Sequence, residues 1–256
     1  MNSVKLYAFA DEASKMVDGQ IAAMKRNGLN GLEVRGVDGV NISSLPLDKA
    51  KELRKKLDDN GLSAWSIGSP IGKIKLSDDF AAHLDMLRHT LEVANILDAK
   101  NLRMFSFFIP EAQQEACANE VIDRLGRFQE LADGTGVTLC HENEKGIYGY
   151  SPEHCLQIHR TFPNIRGVFD PANYVQCGVD TAAAWEMLKP YIFYLHIKDS
   201  LADGAVVPAG CGIGNVASIV RDYLASGGTA MTLEPHLTVF SGLADLEQEG
   251  DTSLIG

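Results

Sequence analysis

The sequence predicts a single (β/α)8 barrel, the TIM-barrel class of α/β fold, from three observations. Eight short apolar, β-branched runs alternate with segments whose apolar residues recur at helical spacing. Such alternation implies parallel strands joined by crossover helices, and eight units suggest closure. No Pro/Ser-rich linker or shift in composition divides the chain, so residues 1–256 read as one domain. A doubly wound open sheet is the structural alternative. It normally grips a nucleotide through a glycine-rich loop after its first strand, and Phe9-Ala10-Asp11-Glu12 contains no glycine.

In order, residues 4–10 form the first strand, with Asp11 and Glu12 at its end. Residues 14–27 carry a helical stripe of Met16, Ile21 and Met24, stopped by Gly28. The second strand is 32–35 (LEVR), followed by an amphipathic helix over 47–60 closed by Gly61. Residues 62–67 are the third strand and run into the permissive loop Gly68-Ser69-Pro70-Ile71-Gly72-Lys73. A long helix over 79–97 shows Leu84, Leu87, Leu91, Ala94 and Leu97 on one face. The fourth strand is 101–107, and most of 111–135 is helix, ended by Gly134 or Gly136. The fifth strand opens at Val137. Helix 152–162 begins with a Ser151-Pro152 cap pair. The sixth strand ends at Asp170, and helix 181–188 is stopped by Pro190. The seventh strand ends at His196, helix 216–225 follows, and 229–234 is the eighth strand. Residues 237–246 show no sustained helical stripe, so the eighth helix is expected to be missing or incomplete. A partner subunit, or residues beyond this sequence, would then cover that edge, making a homo-oligomer an open expectation.

With a formal net charge of −11 and no Lys/Arg-rich block, the surface repels phosphate backbones, which argues against nucleic acid. Cys117, Cys140, Cys155, Cys177 and Cys211 show no CxxC spacing and read as free thiols in a reducing compartment. No signal-type leader is present, and no apolar run approaches the roughly 18 residues of a membrane span. A cytoplasmic location with no membrane partner is the expectation.

Four strand endings carry the chemistry. Val137-Thr138-Leu139-Cys140-His141 runs into Glu142; the next three strands end in Asp170, His196 and Glu234. Taken singly, a strand-end carboxylate is as well explained by capping the next helix, and a lone histidine by ordinary hydrogen bonding. Consecutive strands of a barrel, however, place all four at one mouth. Three carboxylates there would repel one another and raise their own pKa values. A divalent cation removes that problem, and an oxygen-rich set with one imidazole suits Mn²⁺, Mg²⁺, Co²⁺ or Zn²⁺.

GLEVR at 31–35, HENEKGIYG at 141–149, VFDPANY at 168–174, YLHIKD at 194–199 and TLEPH at 232–236 together resemble the xylose isomerase-like barrels. These are the sugar phosphate isomerases/epimerases, with ketose 3-epimerases and inosose dehydratases among them. The resemblance spans nearly the whole chain, and the four spaced ligands are its specific part. It implies metal ligation by Glu142, Asp170, His196 and Glu234, with Mn²⁺ the first choice. In the epimerase branch it implies that Glu142 and Glu234 also act as the acid/base pair. Many ketose epimerases carry a histidine three residues after the strand-six aspartate; here that position is Asn173, which hydrogen-bonds but does not titrate.

Other residues are candidates for holding substrate. Lys73 lies in a loop of the kind where functional residues concentrate. Arg103, inside an apolar strand, needs a carboxylate partner, with Glu33 or Glu142 available. Arg35 at the end of the second strand presents a weaker version of that case. Lys198 shares a strand face with His196. Trp65, Phe105, Phe107 and Phe108 read as core or mouth wall. The glycine-rich stretch 208–214 reads as a flexible connector, although barrel phosphate sites can follow the seventh strand. The leading expectation is a metal-dependent isomerase or epimerase that removes a proton beside the carbonyl of a ketose-like sugar. A lyase starting from the same proton loss is the alternative. An endonuclease IV-like phosphodiesterase would need a richer ligand cluster and a basic groove.

Overall fold

The structure is a computed structural model that describes residues 3–237. Its core is a closed parallel barrel of β1 (Lys5–Ala8), β2 (Gly31–Val34), β3 (Ser63–Gly68), β4 (Asn101–Met104), β5 (Thr138–Glu142), β6 (Arg166–Phe169), β7 (Ile192–Ile197) and β8 (Ala230–Leu233). The strands close in sequence, β8 pairing with β1. Around them lie α1 (Val17–Arg26), α2 (Leu47–Asp59), α3 (Phe80–Leu97), α4 (Gln114–Ala132), α5 (Pro152–Thr161), α6 (Pro171–Gln176), α7 (Thr181–Leu188) and α8 (Val216–Ala225). None of the described helices is long and apolar enough to cross a membrane.

Local chemistry sets the helix starts. Asp79 accepts from Ala82 N at 3.1 Å to cap α3, and Ser151 accepts from His154 N at 3.3 Å ahead of Pro152 to cap α5. Asp180 caps α7 through Ala182 and Ala183. Two differences from the sequence reading stand out. The first strand stops at Ala8 and passes into a 3-10 turn, Ala10–Glu12. The short helix α6 was not anticipated; Asp170 caps it through Asn173 N at 3.0 Å, with Pro171 in its first turn. The expected gap in the eighth helix falls, from residue 238 onward, outside the described residues.

Apolar side chains fill the layer between barrel and helices in one large cluster over the first five units and a smaller one around Phe169, Tyr174 and Trp185. The barrel floor is aromatic. Trp65 stacks on Tyr7, with centroids 4.9 Å apart, and meets Tyr194 edge-on. Trp65 is therefore floor, while the polar residues of the same strands sit above it.

The loop after β3 is not a free flap. Phe105 N donates to Ile71 O and Phe107 N to Gly72 O, both at 2.8 Å, while Gly72 N donates to His83 Nε2, also at 2.8 Å. Burial pushes the His83 imidazole down to about 4, so it stays neutral and able to accept. Gly72 has φ +87°, and a Cβ there would lie 2.1 Å from Phe105 O. Gly72→Ala is therefore expected to cost about 3 kcal/mol of stability by combining backbone strain with overpacking. Urea denaturation checks this, and an unchanged midpoint would contradict it.

Candidate metal centre at the barrel mouth

Glu142 closes β5, Asp170 follows β6, His196 lies in β7 and Glu234 follows β8, so four neighbouring strands present their ends to one mouth. Their donor atoms lie within 4.8 Å of one another, and all four residues are buried. His196 Nδ1 lies 2.9 Å from Glu142 Oε1 and 3.0 Å from Glu234 Oε2. Asp170 divides its two oxygens: Oδ1 caps α6, while Oδ2 points inward. The capping role and the ligand role are thus compatible in one residue.

This donor set fits a divalent cation. Asp170 Oδ2 is a buried atom without a directed hydrogen bond, and Glu234 Oε2 has the His196 imidazole beside it at 3.0 Å. Lys198 Nζ is 2.8 Å from Asp170 Oδ2 and 3.8 Å from Glu234 Oε2, a charge contact rather than a directed bond. Burial, reinforced by Glu234 and Glu142, pushes the Asp170 carboxyl up to about 6 despite Lys198. Burial also disfavours a charged His196, but Glu142 and Glu33 outweigh it and hold the metal-free imidazole protonated well above its usual range. Concentrated negative charge around a trapped proton is the electrostatic signature of a site suited to a cation.

The imidazole is oriented from across the barrel. His196 Nε2 lies 3.1 Å from Glu33 Oε2, and Tyr194 donates its hydroxyl to Glu33 Oε1 at 2.8 Å. Tyr194 and His196 are two apart in β7 and share its inward face. Burial alone would raise the Glu33 pKa; the charge of His196 reverses the sign and lowers it. A carboxylate on the far nitrogen of a ligand histidine selects the tautomer and ring angle that a metal needs.

The other candidates gather at the same mouth with distinct partners. Arg103 donates to Glu142 Oε2 at 3.1 Å, choosing between its two expected carboxylates. Asn173 Nδ2 reaches Glu142 Oε1 at 3.3 Å and Asn143 O at 2.9 Å, so it braces Glu142. Lys73 does not reach the four ligands; its ammonium pairs with Glu144 at 3.0 Å over the Phe105 ring. Burial raises Glu144, but Lys73 and Lys198 bring its carboxyl down to about 2. Arg35 reaches Glu234 Oε1 at 3.2 Å and also Asp11 and Glu12. Asn143 was missed by the sequence reading. Its side chain exchanges two 2.9 Å hydrogen bonds with the Asp170 backbone, and its position directly after the strand-end glutamate was the available signal.

The glycine-rich stretch differs from its expected role as a flexible connector. Gly210, Gly212 and Gly214 donate their N–H groups to the Asp199 carboxylate at 2.8, 3.0 and 2.9 Å. A buried carboxylate from the chain itself thus fills the amide cradle.

Comparison with known proteins adds the following. The family model described as xylose isomerase-like TIM barrel matches residues 21–245. No curated protein matches the sequence. Among solved structures, the probable 3-DHS dehydratase AsbF of Bacillus anthracis is 20% identical, with 90% of this chain and 92% of that one covered at a TM-score of 0.74. A xylose isomerase-like TIM barrel protein from Mycobacterium smegmatis, in complex with magnesium, is 17% identical, with 96% and 94% covered at 0.72. D-Psicose 3-epimerase from Clostridium cellulolyticum H10, with D-tagatose, is 14% identical, with 92% and 86% covered at 0.69. At these identities the likeness is one of fold.

Two outcomes follow for metal binding. Glu33→Gln leaves a hydrogen-bonding side chain but removes the charge that orients His196, and is expected to weaken Mn²⁺ binding about 10–100-fold by calorimetry. Because His196 must give up the proton its neighbouring carboxylates hold, Mn²⁺ affinity should fall about tenfold per pH unit across the neutral range, and more steeply below about 6, where Asp170 takes up a proton as well. A slope that does not steepen below about pH 6 would remove Asp170 from the ligand set.

Proposed function

The chain belongs to the xylose isomerase-like TIM barrel family, and from that premise we propose that it is a divalent-metal-dependent isomerase or epimerase of ketose-like sugars or their derivatives. The observation that carries this reading is the convergence of two buried glutamates, Glu142 and Glu234, from different strands on the Nδ1 atom of His196 at one mouth. Mn²⁺ is the ion we assign first, with Mg²⁺, Co²⁺ and Zn²⁺ as alternatives for the same donors. When bound, the ion supplies Lewis acidity toward a carbonyl oxygen of the substrate.

The remaining chemistry belongs to the chain. Glu142 and Glu234 come from β5 and β8 and meet a bound sugar from different sides. One carboxylate takes the proton from the carbon beside the carbonyl, and the other can return it. Return to the opposite face inverts that carbon; return to the neighbouring position isomerises the sugar. Each glutamate is held by its own guanidinium, Glu142 by Arg103 and Glu234 by Arg35, so neither needs to reorganise as the proton moves. Asn173 steadies Glu142, and we assign Lys198, Lys73 and Arg103 to the binding of substrate oxygens.

Dehydration is the second reading. It is favoured by Lys198, an ammonium beside the four candidate ligands that can protonate a departing hydroxyl. Incubation of unphosphorylated ketohexoses, inososes and 3-keto-sugars in D₂O, followed by NMR and mass spectrometry, separates the two. Deuterium gained at the reacting carbon without loss of water marks the epimerase or isomerase. Loss of water marks the lyase. Glu142→Gln and Glu234→Gln should each lower turnover on the order of 10²-fold or more. Wild-type turnover in both variants, with Mn²⁺ still bound, would reduce the pair to ligands only.

A further inference from the structure

Glu234 is shared between two donor clusters. Its Oε2 faces His196, while its Oε1 belongs to a second triangle. In that triangle His236 Nε2 lies 3.1 Å from Glu234 Oε1 and 3.3 Å from Glu12 Oε1. The donor atoms of Glu12, Glu234 and His236 lie within 4.8 Å of one another, the same bound that holds for the first cluster. A carboxylate offering one oxygen to each of two adjacent clusters has the posture of a bridging ligand in a two-metal site. His236 is also held with care. Its φ of +46° is rare for a residue with a side chain, and its N–H donates to Glu12 Oε2 at 2.9 Å.

A cation already stands in this second position. The Arg35 guanidinium reaches Glu234 Oε1 at 3.2 Å and His236 Nε2 at 3.5 Å through Nη1, and Glu12 Oε1 at 3.3 Å through Nη2. Asp11 fixes it further, with bonds of 2.9 Å from Nε and 3.0 Å from Nη2. The Phe9 ring lies 4.3 Å beneath its central carbon. A guanidinium carries its charge at every working pH and cannot dissociate from the chain.

We propose that Arg35 is the second cation of a two-cation carboxylate site: its guanidinium takes the place of a second divalent ion beside the Glu142–Asp170–His196–Glu234 centre, with Glu234 bridging the two. The chain therefore holds one metal ion where its donors could hold two. This inference rests on the metal-centre part of the reading above and is independent of the sugar chemistry. It also separates this site from two-metal phosphodiester hydrolysis. There, ions on both sides must offer open positions to the attacking and leaving oxygens. A guanidinium engaged by Asp11, Glu12, Glu234 and His236 offers none.

The test counts Mn²⁺ in metal-stripped whole protein, by calorimetry and electron paramagnetic resonance with MnCl₂ as the only probe. Wild type is expected to bind one ion with the spectrum of isolated Mn²⁺. Arg35→Met keeps an apolar stem on Phe9 but removes the charge; it should bind one ion more than wild type, with the spectrum of a spin-coupled pair. Adding His236→Ala should remove that extra ion, and Arg35→Lys should not gain it. Wild type that binds two ions overturns the proposal, as does a folded Arg35→Met variant with no extra ion. An Arg35→Met variant that stays unfolded in excess Mn²⁺ also overturns it, because the divalent ion should restore the missing charge. The quantity read is the gain over wild type. A wild type that binds none overturns the metal-centre reading and this proposal together, whereas a wild type with one ion and a variant with no gain overturns this proposal alone.

Discussion

Taking a carboxylate out of water without a partner costs several kcal/mol, and this barrel buries Glu33, Glu142, Asp170 and Glu234 in one mouth. The positions of the neighbouring cations follow from that constraint. Arg103 answers Glu142, Arg35 answers Glu234, Lys198 answers Asp170, and His196 stands between Glu33 on one nitrogen and Glu142 and Glu234 on the other. Such pairs contribute little net stability once desolvation is counted, but removing one partner strands the other. The mouth is thus an arrangement in which geometry is enforced because every deviation leaves a buried charge exposed to none.

Aromatic rings give the charges a fixed frame. Phe9 lies at the end of the first strand with its ring at right angles to the His196 imidazole. The guanidiniums of Arg35 and Arg103 lie over it, at 4.3 and 5.0 Å from its centre. Gly68 clears the space: a Cβ there would lie 2.5 Å from the Phe9 ring. One apolar residue directly after β1 thereby bears on the two arginines that hold the two glutamates. Below, the Tyr7–Trp65 stack lies under the polar layer as an aromatic floor.

The eight-strand alternation and the four strand endings were legible because they are local patterns: a hydrophobic period interrupted by a ligand-type residue. Arg103 was legible as a charge that needed a partner, since an arginine amid Leu102 and Met104 has no inexpensive alternative. Less visible were relations between distant parts of the chain. Glu33 was legible only as a possible partner of Arg103, and only barrel closure sets it against His196, 163 positions away. The helix α6 escaped notice because its six residues are too few for a periodic stripe; capping and ligation stood as alternatives for Asp170, and the structure gives one oxygen to each side. In the stretch 208–214 the glycines signalled a permissive backbone, but nothing local said which anion would fill it.

That anion has a consequence for selectivity. Asp199 is held by three glycine amides and lies three residues beyond His196 on the same chain. A tethered carboxylate competes at an effective concentration of millimolar or more. A free anion, or the phosphoryl tail of a larger molecule, would have to evict this resident competitor before gaining any of the three hydrogen bonds. The loop after β7 therefore behaves as a pre-occupied receptor, its recognition capacity spent within the molecule and withheld from whatever enters the mouth.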